Sequence, residues 1–208
     1  MVGLGGPYIG YTNSSFRADR LSLQLNGSLD TQWDDDGSRV LNYDASSMFN
    51  EQPLHGFELG IGGMEGNIAS ELSLSFCMRQ KLSRIETPYP LLVSDLQQVR
   101  LQASLGAGRQ GPFWGAWSGV HLGWVQHKLL INENSFLQGT YGIPEYSITT
   151  EEPSEEPALV SNHLRAGLKG GIWLGGRTGI RITGEVGVDF QGLWDQGFSL
   201  SLYSDQFL

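Results

Sequence analysis

The chain has 208 residues, the length of one domain, and we expect residues 1–208 to form a single domain. Its formal net charge of −9 argues against nucleic acid as a partner, because surfaces that bind the phosphate backbone are basic. The single cysteine excludes an internal disulfide framework and a zinc site of several cysteines, and no apolar run is long enough for a transmembrane helix.

Eight segments are predicted to be strands, because apolar and polar residues alternate along them. The first, residues 7–12, is the weakest, and its facing cannot be assigned. In chain order, the apolar positions of the other seven are Phe57, Leu59 and Ile61; Leu72, Leu74, Phe76 and Met78; Val99, Leu101, Ala103 and Leu105; Val120, Leu122 and Trp124; Leu164, Ala166, Leu168, Ile172 and Leu174; Ile180, Ile182, Val186, Val188 and Phe190; and Phe198, Leu200 and Leu202.

The connections between these strands alternate between long and short. The tight turns are predicted at Met64–Asn67, Arg109–Pro112 and Gly175–Thr178. The longer links run over residues 14–54, 86–94 and 132–160, and a modest one over residues 191–197. In an up-and-down meander this order places every tight turn at one end of the sheet and every long link at the other, which is typical of outer-membrane barrels.

The polar face of the strands is rich in Gly, Ser, Gln and Thr, which suits a cramped barrel interior. The charges on this face have both signs, so they can pair inside a narrow barrel, where lone charges are costly. We predict an interior polar network of Glu58, Glu71, Arg79, Arg100, His121, His163, Arg165, Lys169, Arg181, Glu185 and Asp189, with Lys81 on the same face. The other face is almost purely apolar over about 9–11 residues, enough for a tilted strand to cross a bilayer.

Aromatic residues lie near the predicted strand ends. Phe113 and Trp114 follow one tight turn, Trp173 precedes another, Trp124 lies a third of the way along its strand, and Trp194 lies in the last link. Trp side chains are expected where a membrane wall meets water, so we interpret these residues as parts of interfacial girdles.

With eight alternating strands, three tight turns and a terminal strand over residues 198–208, the chain resembles the small OmpA/OmpX-type outer-membrane β-barrels. The resemblance implies an all-β fold: an eight-stranded antiparallel up-and-down transmembrane β-barrel with long extracellular loops, located in a bacterial outer membrane. Members of this family usually end on an aromatic residue, whereas here Phe207 is penultimate and Leu208 is last. Residues 1–7 lack the features of a secretory signal, so we expect the signal to have been removed from this sequence.

Little in the sequence indicates catalysis, and we expect no cofactor and no bound metal. His121 and His163 share the predicted interior face and, with Glu71, could in principle ligate a metal, although a hydrogen-bonded interior histidine is the simpler interpretation. Ser118 precedes His121, but alternation places the two on opposite faces. Cys77 is predicted to lie inside, without a visible base.

The predicted function is non-enzymatic: a structural, adhesion or accessory subunit that contacts outer-membrane lipid. A protein partner is expected at the loops of residues 14–54 and 132–160, because loops this long are usually functional or disordered. Apolar residues within 21–43 could extend a hairpin beyond the membrane and offer a strand edge to the protein partner. The alternatives are a soluble lipocalin-like barrel that binds a small apolar ligand, a lipid-modifying enzyme that depends on His121 or His163, and a narrow channel.

Overall fold

The computed structural model of the chain describes residues 4–17, 22–26, 42–44, 53–85, 91–131, 158–189 and 194–205. Within these ranges the secondary structure is entirely strands and turns. The strands are β1 (Leu4–Arg17), β2 (Ser22–Asn26), β3 (Asn42–Asp44), β4 (Leu54–Glu65), β5 (Ile68–Ile85), β6 (Leu91–Gln110), β7 (Trp114–Ile131), β8 (Ala158–Gly175), β9 (Thr178–Asp189) and β10 (Trp194–Ser204).

Eight of these strands form a closed antiparallel barrel. Around the wall the order is β1, β4, β5, β6, β7, β8, β9 and β10, and β10 pairs back onto β1. Closure pairs the backbone groups that an open sheet would leave at its edges. The predicted all-β fold, an eight-stranded antiparallel up-and-down barrel, is confirmed, and β1 begins earlier and ends later than the predicted residues 7–12.

The three predicted tight turns all lie at one end of the barrel, which we call the turn end. β4 passes to β5 through Gly66 and Asn67, and Gly66 has a φ of 63°, which is unfavourable for residues with a Cβ. A glycine at the first central position is typical of type II′ hairpin turns, which match the twist of the strands they join. Residues 111–113 and 176–177 form the other two turns. The opposite end, from which the long links depart, is the loop end.

The barrel wall is taller on one side than on the other. Strands β5 to β8 have 18 to 20 residues, whereas β1, β4, β9 and β10 have 11 to 14. β4 pairs with β5 only as far as His55 opposite Met78, while β5 and β6 stay paired to Ile85 opposite Leu91. On the other flank of the tall side, β2 pairs with the start of β8, and β3 pairs with β2.

The polarity of the two faces of the wall is the reverse of that in a soluble barrel. Outward side chains are apolar and exposed, as Leu122 at 61% shows, and inward ones are polar and buried. The inward apolar face that the lipocalin-like alternative requires is therefore not found along the described barrel strands. Trp173 is 1% exposed and points into the barrel, so its assignment to an interfacial girdle is wrong, while Phe113, Trp114 and Trp194 are exposed. No helix among the described residues is long and apolar enough to span a membrane.

Candidate functional site: the interior of the barrel

All eleven residues named for the interior network lie on the inner face of the barrel. They come from six strands, because alternate residues of each strand point inward. Ten of them are no more than 8% exposed, and the side chain of the eleventh, Glu185, is 6% exposed. The side chain of Lys81 lies outside the described residues. The inner-face members are Glu58, Glu71, Arg79, Arg100, His121, His163, Arg165, Lys169, Arg181, Glu185 and Asp189.

Glu71 is the centre of the half of the network nearer the turn end. Its Oε1 lies 2.5 Å from Lys169 Nζ and 2.5 Å from Arg181 Nη2, and its Oε2 accepts a hydrogen bond of 3.0 Å from Arg181 Nε. Glu58 lies 3.5 Å from Arg181 and 3.6 Å from Lys169, and Tyr8 donates to Glu58 at 3.4 Å. Two carboxylates therefore face two cations, which compensates the cost of burying each charge.

Glu185 is the centre of the other half. It accepts hydrogen bonds from Arg100, from Arg165 at 3.1 Å and from Gln102 at 2.7 Å, and it lies 3.6 Å from Lys169. Arg165 also donates to Asp195 at 2.5 Å. Lys169 thus joins the two halves into one network that crosses the lumen.

Asp195 is a member of this network that sequence reasoning missed, because residues 191–197 were predicted to be a link. In the structure β10 begins at Trp194, and Asp195 lies on its inner face. The alternation of apolar and polar residues over 198–202 continues back to Asp195, which falls on one of the polar positions. The sequence therefore did indicate that Asp195 points inward. Tyr8 and Thr12 were missed as well, since the facing of the first strand could not be assigned.

The turn end of the lumen is filled by apolar and aromatic side chains. We call this set the aromatic plug; its buried members are Tyr8, Met64, Ala69, Trp117, Trp173 and Tyr203. The Trp173 ring lies edge-on to Tyr203 at 5.1 Å and to Tyr8 at 6.5 Å. The Arg181 guanidinium sits 4.0 Å from the centre of the Tyr8 ring and connects the plug to the charged network.

At the loop end, the inner face carries two histidines whose ring centres are 5.7 Å apart, His127 and His163. His163 contacts Ser161 through Nε2 and Asp189 through Nδ1, and His127 lies 3.4 Å from the Gln98 amide. His121 lies elsewhere on the inner face. The structure does not bring His121, His163 and Glu71 together, and within the described ranges no three His, Cys, Asp or Glu side chains form a group able to hold a metal.

Polar side chains from six of the eight barrel strands lie on the outer face near the loop end. We call them the outer ring: Asn13, His55, Gln97, Gln126, Asn162 and Gln196. Gln126 donates to Asn162 at 3.0 Å, and Tyr11 stacks on His55 just inside the ring. Along β4, ten residue steps separate His55 from Glu65 at the turn end. At a rise of about 3.3 Å and a tilt of about 40°, the apolar band between them is about 25 Å tall.

Two solved structures have the same architecture. The chain matches Ail, the attachment invasion locus protein of Yersinia pestis, with 12% identity, 98% of each chain covered and a TM-score of 0.51. It matches Neisserial surface protein A with 8% identity, 96% of this chain and 97% of the other covered, and a TM-score of 0.50. No protein-family model matches the chain, and no curated protein matches it in sequence. The chain is an eight-stranded antiparallel barrel with the fold of the small outer-membrane β-barrels.

Proposed function

We propose that this chain lies in a bacterial outer membrane and acts by binding, as an adhesion or accessory protein, without catalysis in that role. The observation that supports the location is the apolar band of about 25 Å, which equals the height of the lipid-facing band in such barrels. The exposed side chains within it are mostly apolar, with Ser70 and Ser118 as polar exceptions, and the polar outer ring marks its upper boundary. Outer-membrane lipid is then the first partner of the chain.

The positions of the turns support an orientation. Short turns face the periplasm in outer-membrane barrels, and the longer connections face outward. The turn end therefore faces the periplasm, and the links 18–53, 86–90 and 132–157 leave the barrel on the cell surface. Both loops predicted to meet a protein partner, residues 14–54 and 132–160, belong to this outer side.

The taller side of the barrel supplies the proposed binding surface. Beyond the outer ring, β5 to β8 continue together, and β2 and β3 add to β8, giving the strand order β5-β6-β7-β8-β2-β3. We call this sheet the outer wall. Among the described residues no strand pairs with the outer flank of β3, or with β5 beyond Arg79 on the side of β4. Such edges can accept an extended segment of a partner protein through backbone hydrogen bonds.

A channel function is disfavoured by the contents of the lumen. The charged network crosses the middle of the barrel, and the aromatic plug lies at the turn end. A cavity between Thr12, Glu58, Arg100 and Glu185 has a volume of about 10 Å³, about enough for one water molecule. Ail is named for attachment and invasion. For this chain, the outer wall is the feature that supports a role in attachment.

Refolding into phosphatidylcholine vesicles tests the membrane location. The protein should require detergent or lipid, show β-structure by circular dichroism, and migrate faster on SDS gels before boiling than after. A monomer that is soluble and folded without detergent would show that the outward apolar face has been misinterpreted.

Site-specific photo-crosslinking on whole cells tests the outer wall. A photoreactive residue at position 43 in β3 or at position 83 in β5 should crosslink to a second protein. The same residue at position 122, within the apolar band, serves as the matched control and should crosslink to lipid alone. Absence of protein adducts at both edges would exclude the proposed edge recognition while leaving the membrane location intact.

A further inference from the structure

Three side chains at the loop end of the lumen stand in the order that nucleophilic catalysis requires. Ser161 Oγ is in hydrogen-bond contact with His163 Nε2, and His163 Nδ1 lies 3.3 Å from Asp189 Oδ2. All three residues are buried on the inner face. A hydroxyl, an imidazole and a carboxylate in this linear sequence are the components of an activated serine.

The barrel geometry explains how these groups meet. Ser161 and His163 are two residues apart on β8, so their side chains project from the same face next to each other. Asp189 is the last residue of β9 and pairs with Arg165, two residues beyond His163 on β8. His127 lies directly opposite Ser161 on β7, and its ring forms one wall of the site.

We propose that Ser161 is the nucleophile of a hydrolytic site for small carboxylic esters, with His163 as its base and Asp189 as the group that orients the base. When Nδ1 carries the ring proton, His163 Nε2 is free to accept the hydroxyl proton. His163 Nδ1 and Asp189 Oδ2 lie 3.3 Å apart without an aligned hydrogen bond, and catalytic contacts are often poorly aligned until substrate binds. The site uses the inner face of β8 and β9 rather than the free edges of the outer wall, and it does not depend on the proposed binding role.

The proposed reaction proceeds in two balanced steps. Ser161 Oγ attacks the ester carbonyl carbon, and its proton passes to His163 Nε2. The carbon–oxygen bond to the leaving alcohol then breaks, and the alcohol takes that proton, which leaves an acyl ester on Ser161. A water molecule, activated by His163 in the same way, attacks the acyl carbonyl, and the acid is released as Ser161 regains its proton.

The position of the site restricts its substrate. Ser161 precedes Asn162 of the outer ring, so the nucleophile lies inside the lumen at the outer boundary of the apolar band. Below it lie the charged network and the aromatic plug. A substrate therefore enters from the outer mouth, which favours a small, water-soluble ester over an acyl chain that lies against the outer face of the barrel.

Labelling with a fluorophosphonate tests the proposal on the full chain folded in detergent. An activated serine displaces fluoride from phosphorus, and the resulting phosphonyl–serine adduct is located by peptide mass mapping. We expect a single adduct on Ser161 in the folded protein, none after unfolding, and slow turnover of 4-nitrophenyl acetate. A folded protein without an adduct on Ser161 would overturn the proposal, and the three residues would then be a structural hydrogen-bonded set.

Variants separate chemistry from folding. S161A should abolish both labelling and turnover, and H163Q and D189N should each slow labelling about a hundredfold or more. The matched control is S73A, which removes another buried hydroxyl of the inner face, on β5, and should label at the wild-type rate. Each variant is first checked for wild-type mobility on unboiled gels. Equal labelling of S161A and the wild type would also overturn the assignment.

Discussion

The two faces of the barrel wall are made by the same strands and are opposite in chemistry. On β7, Val120 and Leu122 point outward and are mostly exposed, whereas His121 between them is buried in the lumen. On β8, Leu168 points outward and Lys169 inward. The two-residue period of a strand divides its side chains between the two faces. The medium on each side of the wall then decides which face forms the core. In a barrel that lies in a membrane, the outward apolar side chains are the ones in contact with the solvent, which is lipid.

The faces also differ in how stability depends on individual residues. In the proposed membrane location, outward side chains contact lipid separately, so the loss of one leaves its neighbours almost unchanged. Inward charges depend on one another, because removing one carboxylate leaves its partner cations buried and unpaired. The same kind of substitution should therefore change the free energy of unfolding by different amounts on the two faces.

The largest effect is expected for Glu71→Ala. It leaves Lys169 and Arg181 buried without their closest carboxylate, and loss of one partner from a buried ion pair costs about 3–5 kcal/mol. Urea unfolding in phospholipid vesicles measures the change. Glu65→Ala, at an exposed turn position, is the matched control and should change stability by less than about 0.5 kcal/mol. Equal losses in the two variants would contradict the proposed role of the network.

Trp173→Ala should be nearly as damaging, because it removes the ring at the centre of the aromatic plug. Replacing a buried tryptophan by alanine costs about 3–5 kcal/mol through the lost contacts and the cavity that remains. Trp114→Ala, on the outward face near the same end, creates no internal cavity and should cost less than about 1 kcal/mol. Planar-bilayer recording adds a second readout: the wild type should show no conductance steps, and steps from the wild type would contradict a filled lumen.

Leu122→Arg tests the outward face at the middle of the apolar band. An arginine at this depth is expected to destabilise the barrel by about 2–4 kcal/mol, and Gln126→Arg at the outer ring by no more than about 1 kcal/mol. The same vesicle unfolding assay compares the two. If both variants were equally stable, the band would not be in contact with lipid.

The smallest effect is expected for Gly184→Ala. A Cβ at Gly184 meets no atom within 4 Å, so the substitution should be neutral or stabilise the barrel by up to about 1 kcal/mol. A Cβ at Gly10, which faces inward, would lie 2.1 Å from the backbone oxygen of Leu200, so Gly10→Ala should destabilise the barrel by about 1–3 kcal/mol. The difference in thermal unfolding between the two variants measures how tightly the inner face is packed.

Much of the wall can be predicted from local sequence. The alternation along residues 180–188 corresponds to β9, and Gly66 lies at a turn that needs a positive φ. The weakest pattern, residues 7–12, belongs to the longer strand β1, in which tyrosines lie on both faces, with Tyr8 inward and Tyr11 outward. Trp173 was assigned to the wrong face because it lies near a turn. Its spacing from Lys169 and Gly171 places it on the same inward positions as those residues.

The sequence by itself determined the strands, the turns and the two faces, because these depend on a two-residue period and on turn chemistry within a few residues. Only the tertiary structure decided which inward side chains meet. Glu71 of β5 contacts Arg181 of β9 across the lumen, and Asp189 of β9 approaches His163 of β8. These contacts depend on the number of strands and on the register of every pair around the closed wall, so no local pattern specifies them.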